Sequence, residues 1–277
     1  MKRDISIITV NYNSKELLYN CLCSIKRELD INYEVIVVDN ASTDNSIALC
    51  REFREDSRFI FIESPHNNGF AKGCNMGADA ASGEILHFLN PDTELQKGIS
   101  DDYRKVIGAP EKVYVTPLIN RDNSIENGKM FLPVLRDIFW WNISRKRARY
   151  WFKGASVIIS KDNFQKAGRW CEDYFMYGED LDLFYNFWKN NIEIAMLQTP
   201  IFHLGGGCSQ NVWSSFDREI IVQHSFRRFY TRHFSRAQYV AVKCYFVMHN
   251  LIKHPSRVIF DIKAWKKVAS SKPADNR

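Results

Sequence analysis

In residues 83–93 a short apolar run, Ile85-Leu86-His87-Phe88-Leu89, meets a hard stop at Asn90-Pro91-Asp92. The run has the length and composition of a strand covered on both faces. Pro91 has no N–H and fixes its own φ, so the chain must leave the sheet at that point. Asp92 is thereby delivered to the carboxyl edge of a central strand, where open α/β sheets bind their ligands. A carboxylate held there can grip a divalent cation and, through it, a diphosphate. The plainer reading is that Asn-Pro-Asp is only a turn.

The preceding residues supply the sheet. Ile5 to Val10 is a β-branched run ending in Asn11-Tyr12-Asn13-Ser14. Ser14 is expected to cap a helix with Leu17, Leu18, Cys21, Leu22 and Ile25 at helical spacing. Glu34 to Asn40 reads as a second strand, followed by the turn Ala41-Ser42-Thr43-Asp44 and a helix from Ser46 to Phe53. Phe59 to Glu63 is a third strand. Asn67-Asn68-Gly69-Phe70 then leads into a helix with Gly73, Gly77 and Ala81 on one face. That four-residue spacing reads as close packing of helix on sheet. Strand and helix in alternation, with short loops, predict an α/β fold with a parallel sheet and right-handed crossovers. A dinucleotide-binding dehydrogenase is excluded, because the Gly-x-Gly-x-x-Gly slot after the first strand holds Asn11-Tyr12-Asn13-Ser14. Asp39 and Asp92 both end strands on one edge. Asp39 can accept from the ring N–H of a uracil or thymine, or serve as a turn or helix-cap residue.

Ser6 to Asn13, Val37 to Asp44 and Asn67 to Asn75 resemble the opening motifs of the family 2 inverting glycosyltransferases. Leu89-Asn90-Pro91-Asp92-Thr93 resembles that family's Asp-x-Asp metal motif, in the form of its bacterial rhamnosyltransferase-like branch, where the first acidic position is commonly Asn. The resemblance extends over roughly residues 4 to 235. It implies a GT-A fold, a nucleotide-sugar donor and Mg or Mn. Glu172 to Leu183 carries four acids among aromatics, and its Tyr177-Gly178-Glu179-Asp180-Leu181-Asp182-Leu183 resembles the family motif whose Glu-Asp pair supplies the general base. Gly178 breaks the chain, and Glu179-Asp180 is expected to open a helix with Leu183, Phe184 and Phe187 inward. Read alone, such acids are ordinary partners for a helix dipole. The base must come from a different segment than the metal ligand, which Asp180 does and Asp92 does not. Glu179 or Asp182 would orient it or the acceptor. One departure is Asn186, where the family usually has Arg. His203, before Gly205-Gly206-Gly207-Cys208-Ser209, matches the family's His-x-x-Gly-x-Ser element, which implies a metal ligand or diphosphate contact. The glycines would let that loop fold on phosphates or move as a lid.

The resemblance therefore assigns Thr9, Asn11, Asn13, Asp39, Asn67, Gly69, Lys72, Asn75 and Asn90 to the nucleotide sugar, and Asp92 and His203 to the metal. Gly154, Tyr177 and Asp182 would face the acceptor, and Asp180 with Glu179 would carry the catalysis.

Between these motifs the chain is less readable. Val113 to Ile119 and Trp151 to Ser160 each read as one strand. Phe131 to Ile143 is aromatic-rich, and Trp140-Trp141 reads as core or interface packing before a substrate platform. Arg145 to Arg149 is either a solvated basic loop or a contact for a diphosphate-bearing acceptor.

Charge divides the chain in two. From Arg218 to Lys267 eleven Lys/Arg face only Glu219 and Asp261, a net +9 within a chain whose total is +6. This helical, aromatic-rich tail brings no recognisable nucleic-acid module, so no nucleic-acid partner is expected. It reads either as helices packed on the catalytic domain or as an amphipathic surface for an anionic membrane, with 270–277 a frayed end. The domain division expected is 1–215, catalytic, and 216–277, basic extension. Seven scattered cysteines without Cys-x-x-Cys read as reduced thiols in a cytosolic compartment. No apolar run is long enough to span a bilayer or form a signal peptide, which predicts a soluble protein or one peripheral to the inner face of the cell membrane.

The reaction implied moves a sugar, by resemblance a deoxyhexose such as rhamnose, from a dTDP or UDP donor to a glycan hydroxyl, with polyprenyl-diphosphate-linked acceptors common among such enzymes. A sugar-nucleotide-forming nucleotidyltransferase would want a glycine- and basic-rich loop after strand 1, which is absent. A non-catalytic binding module would not need the Glu-Asp pair.

Overall fold

The computed structural model describes residues 3–126, 128–143, 148–205 and 214–270. The chain opens with β1 (Ile5–Asn11), α1 (Glu16–Glu28), β2 (Tyr33–Asp39), α2 (Ser46–Leu49), β3 (Phe59–Glu63), α3 (Phe70–Ala80) and β4 (Ile85–Leu89). It continues through β5 (Thr93–Glu94), α4 (Ile99–Gly108), β6 (Val113–Val115), β7 (Leu118–Ile119), β8 (Ile125–Glu126), β9 (Lys129–Phe131) and α5 (Leu135–Ile143). There follow β10 (Tyr150–Phe152), β11 (Ser156–Ser160), α6 (Lys161–Lys166), α7 (Glu179–Lys189), β12 (Ile194–Met196) and β13 (Ile201–His203). Three helices complete the described chain: α8 (Ser215–His233), α9 (Arg236–Lys253) and α10 (Pro255–Ser270).

The main sheet runs β12-β6-β11-β4-β1-β2-β3. Six strands point one way and β11 alone is reversed, pairing antiparallel with both β4 and β6. Side chains alternate faces along a strand, and both faces here are apolar. Ile5, Ile7, Val35, Val37, Ile85, Leu89 and Ile158 join the core beneath α1 and α4. Ile8, Val10, Ile36, Val38, Leu86, Phe88, Val157 and Ile159 join the opposite core beneath α3, α6 and α7. The unbroken β-branched runs follow from this two-sided burial. His87 is the polar exception in β4, fully buried between the Tyr103 hydroxyl (2.5 Å) and Ser156 Oγ (2.9 Å). Burial pushes its pKa down to about 3, so it packs as a neutral ring.

The glycine face of α3 lies against β1. A Cβ on Gly77 would fall 2.4 Å from Ile8 Cγ2, and one on Gly73 2.7 Å from Val10 Cγ1.

Several local expectations are corrected. Ser14 is not a side-chain cap; Lys15 holds the cap position of α1, while Ser14 Oγ donates to Asn11 Oδ1 (2.6 Å). The helix expected from Ser46 to Phe53 stops at Leu49 and continues as a 3₁₀ turn, Arg51–Glu55. Val113 to Ile119 divides at Thr116-Pro117 into β6, in the main sheet, and β7, in a smaller sheet of order β5-β13-β7-β8. Trp151 to Ser160 likewise divides at Lys153-Gly154-Ala155 into β10, paired with β9, and β11. A glycine at that break lets the chain change sheets beside α7.

The aromatics of α8 form a core. Phe229 and Tyr230 are buried with Leu132, Val134, Ile138, Leu181, Tyr185 and Val242. The expected inward residues of α7, Leu183, Phe184 and Phe187, are all fully buried. Among the described residues no helix is long and apolar enough to cross a membrane, and six of the cysteines are free thiols. Residues 145–147, the loop 206–209 and the end 271–277 lie outside the described residues.

Candidate active site

The carboxyl edge of the sheet gathers the loops after β1, β2 and β4. Asp39 Oδ1 accepts from Asn11 Nδ2 and from Ser42 Oγ (2.6 Å each), and Oδ2 accepts from the Ser42 amide (3.0 Å). Asp39 is thus a turn residue with acceptor capacity left on Oδ2, since a carboxylate offers about four lone-pair sites. Asn11 is fully buried behind it, its amide also reaching Ser42 and Ser46. Asn13 ties the β1 loop to the β2 loop, its Oδ1 accepting from the Thr43 amide (2.8 Å). Thr9, expected at the donor, is instead fully buried mid-strand, because β1 extends through Asn11 and leaves it below the edge.

The next loop faces the acidic segment. Asn67 Oδ1 accepts from the Gly69 amide (3.0 Å). Gly69 has φ +81°, and a Cβ there would lie 2.4 Å from the carbonyl oxygen of Phe175. Asn75 is buried, donating to Trp170 O and Glu172 Oε1 (2.9 Å each), so it holds the start of the acidic segment rather than standing open. Lys72 is exposed on α3.

Asp92 and His203 come together, although they lie far apart in sequence. The antiparallel pairing of β5 with β13 sets Thr93 opposite His203 and brings His203 Nε2 to 3.6 Å from Asp92 Oδ1. Nδ1 of the same ring donates to Glu126 Oε2 (2.6 Å), which leaves Nε2 as the nitrogen turned to Asp92. Glu126 also meets Lys153 Nζ. Burial works against ionisation of Glu126, but the bonds from Lys153 and His203 outweigh it and hold its carboxyl below the usual range. Among the described residues no group of three or more His, Cys, Asp or Glu converges on one point. An oxygen–nitrogen pair is nonetheless a donor set that suits a divalent cation completed by diphosphate and water.

The acids of α7 occupy three different environments. Asp180 is part-buried; its Oδ2 accepts from the Gly154 amide (3.2 Å) and its Oδ1 from the Leu181 amide (2.8 Å). Burial raises its pKa to about 6 against the pull of those amides. Glu179 is buried, and its Oε2 has no hydrogen-bond partner. Burial first, and then the charge of Asp180, hold its proton well above the usual carboxylate range. Asp182, expected to orient the base or face the acceptor, is completely buried and turned the other way, toward α8. It accepts from His233 Nε2 (2.7 Å), Tyr174 OH (3.1 Å) and Asn186 Nδ2 (3.2 Å), with Arg232 Nε at 3.6 Å. A cation beside Asp182, which Asn186 does not supply, comes from α8 as Arg232. Tyr177 (φ +63°) and Gly178 (φ +91°) make the turn into α7 in left-handed conformations.

The two halves of the site meet through backbone. The Asn90 amide donates to Ala155 O (2.9 Å), one residue from the amide that binds Asp180. Asn90 Oδ1 is buried and unpartnered. Glu126, Lys153, Arg232 and His233 carry much of this geometry and had no assigned role in the sequence. Glu126 sits in a two-residue strand and Lys153 at the break between β10 and β11, neither with a period to read, and Arg232 and His233 are hidden in the basic tail.

The model of the glycosyl transferase family 2 matches residues 6–164. The chain belongs to that family. The match ends before Glu179, so the acid segment and His203 rest on their own geometry. This family 2 chain is 37% identical over 114 residues to the uncharacterized glycosyltransferase YfnE of Bacillus subtilis, a stretch covering 41% of the chain but 29% of that relative. It is 25% identical over 262 residues to the low-salt glycan biosynthesis hexosyltransferase Agl10 of Haloferax volcanii, covering 87% of the chain and 81% of the relative. Among solved structures, the mannosyltransferase PcManGT of Pyrobaculum calidifontis, in complex with GDP-Man and Mn²⁺, superposes with a TM-score of 0.61 at 16% identity. That likeness covers 98% of the chain and 76% of the other. The fold is accordingly GT-A.

Proposed function

We propose that this family 2 chain is an inverting glycosyltransferase that moves a hexose or deoxyhexose from a dTDP or UDP donor to a hydroxyl of a cell-surface glycan precursor, carried on a polyprenyl diphosphate. The observation that carries the reading is the placement of Asp180. Its pKa is raised to about 6, and it is joined through Gly154 and Ala155 to the Asn90-Pro91-Asp92 turn, yet it comes from a different segment. A base tuned near working pH, and separate from the leaving-group side, is what single displacement needs.

In this mechanism the acceptor oxygen attacks the anomeric carbon as Asp180 takes its proton. The bond from that carbon to the diphosphate breaks with its electron pair leaving on the nucleoside diphosphate, which inverts the centre. Glu179 keeps its own proton and so does not compete as base. Its unpartnered Oε2 is assigned to a substrate hydrogen bond. Asp39 Oδ2 is assigned to the ring N–H of the pyrimidine, and Lys72 and Asn90 to the donor. Asp92 and His203 would hold Mg or Mn, which when bound neutralises charge on the leaving diphosphate. Gly154 and Tyr177 are assigned to the acceptor side; Asp182, being buried against α8, positions the segment instead.

Support comes from the glycan-building Agl10 relative and from the Mn²⁺ in the PcManGT structure. Rhamnose remains the first deoxyhexose to test, on motif resemblance. A non-catalytic binding module would have no use for a carboxylate held at a raised pKa. The test is nucleoside diphosphate release by purified protein with Mg or Mn, screening dTDP- and UDP-sugars against lipid-diphosphate glycans. Metal-dependent release from a pyrimidine donor supports the reading; failure of every pyrimidine donor to bind overturns the roles given to Asp39 and Asp92.

A further inference from the structure

We propose that the corner between α9 and α10 is a docking surface for an anionic lipid bilayer. The aromatics of α8 are used up in the core, but the aliphatics at this corner are not covered. Met248 is 64% exposed, Leu251 55%, Ile252 79% and Ile259 66%. Met248, Leu251 and Ile252 follow helical i, i+3, i+4 spacing and so share one face of the last turns of α9. Only His254 separates the two helices.

The corner is a built feature of the fold. Asn250 Nδ2 donates to Asp261 Oδ2 (2.8 Å), binding the end of α9 to α10. Phe260 packs edge-on against Phe216 of α8 with ring centroids 5.3 Å apart, and Arg227 of α8 donates to the Val268 carbonyl (2.9 Å). With the helices held in this way, the aliphatics stay outward.

Charge decides the occupant. From Arg236 to Lys267 the chain carries seven Lys/Arg against Asp261, and Asp261 is already bonded to Asn250. Lys253 at the corner and Lys263, Lys266 and Lys267 along α10 are exposed. Exposed aliphatics rimmed by cations match an acidic interface that takes apolar groups below its headgroups. A nucleic acid would offer those aliphatics nothing. No described helix is long and apolar enough to span, so the contact lies on the bilayer. The surface is fixed to α8, whose Ser225 donates to Met176 O (3.3 Å) and whose His233 clasps Asp182, so docking would set the acid segment at a fixed height above the lipid.

The proposal is read without turnover and so stands apart from the transferase reading. The full chain is sedimented with vesicles of phosphatidylcholine alone or mixed with phosphatidylglycerol. Sedimentation with the mixed vesicles only, reduced about tenfold or more by high salt, is expected. The triple variant Met248→Ser, Leu251→Ser, Ile252→Ser should lose binding at an unchanged melting temperature, since all three side chains are exposed; Lys253→Glu should weaken it separately. No sedimentation with anionic vesicles, or equal sedimentation of the triple variant, overturns the proposal. Self-association seen by light scattering and abolished in the triple variant, without vesicle binding, overturns it too and gives the corner to a second copy.

Discussion

The Gly154 amide donates to Asp180 Oδ2 across 3.2 Å, joining the break between β10 and β11 to the first turn of α7. A Cβ at Gly154 would sit 3.3 Å from Asp180 Cβ and 3.4 Å from the Trp170 ring. Gly154→Ala therefore crowds the carboxylate without breaking an element. The expected outcome is a fall in kcat of about tenfold or more with donor affinity kept, since small misplacements of a reacting group are costly. Steady-state kinetics beside donor titration checks it.

The raised pKa of Asp180 predicts the shape of the pH profile. A base works only when ionised, so kcat/KM should climb through a pH near 6 and level off above it. Glu179 keeps its proton through this range, so Glu179→Gln exchanges one neutral group for another and should leave the midpoint near 6. A midpoint displaced by Glu179→Gln would place the titration on Glu179 instead of Asp180.

The same burial costs stability. A carboxyl whose folded pKa is raised favours the fold below its unfolded pKa, near 4, and that advantage is lost as pH rises through about 6. Asp180→Asn should therefore raise stability at pH 8 by on the order of 1–2 kcal/mol, and by little or nothing at pH 4. Urea melts at the two pH values measure the difference.

His233 and Asp182 clasp α8 to α7 at 2.7 Å in a buried setting. His233→Ala takes from the buried Asp182 carboxyl its shortest hydrogen bond and should cost about 2–3 kcal/mol of stability. Asp182→Asn together with His233→Ala should cost less than the single His233→Ala change, which a double-mutant cycle in urea would show.

Glu126 orients His203 through Nδ1. Glu126→Gln should weaken Mn²⁺ binding about 10–100-fold, the usual effect of removing the partner that orients a metal-ligating histidine. Calorimetric titration of Mn²⁺ with nucleoside diphosphate present reads this without turnover.

The β-branched runs made β1 to β4 legible, because a strand buried on both faces leaves a continuous apolar signal. Strand 85–89 and the helix opening at Glu179 lie where the sequence places them. The small sheet was not legible, since strands of two or three residues such as β5, β7 and β8 have no period to read. Its consequence, the approach of His203 to Asp92 and of Glu126 to His203, was therefore visible only by resemblance or not at all. Thr9 and Asp182 show the reverse limit. A motif names residue types, but burial decides which way each side chain is spent.

The most direct test is a single-turnover experiment on Asp180→Asn beside wild type, with a pyrimidine-diphosphate sugar that the wild type is shown to use. The variant should bind the donor as wild type does while glycoside formation falls by about 10²–10⁴-fold. Transfer at the wild-type rate by Asp180→Asn would contradict the role of Asp180 as base.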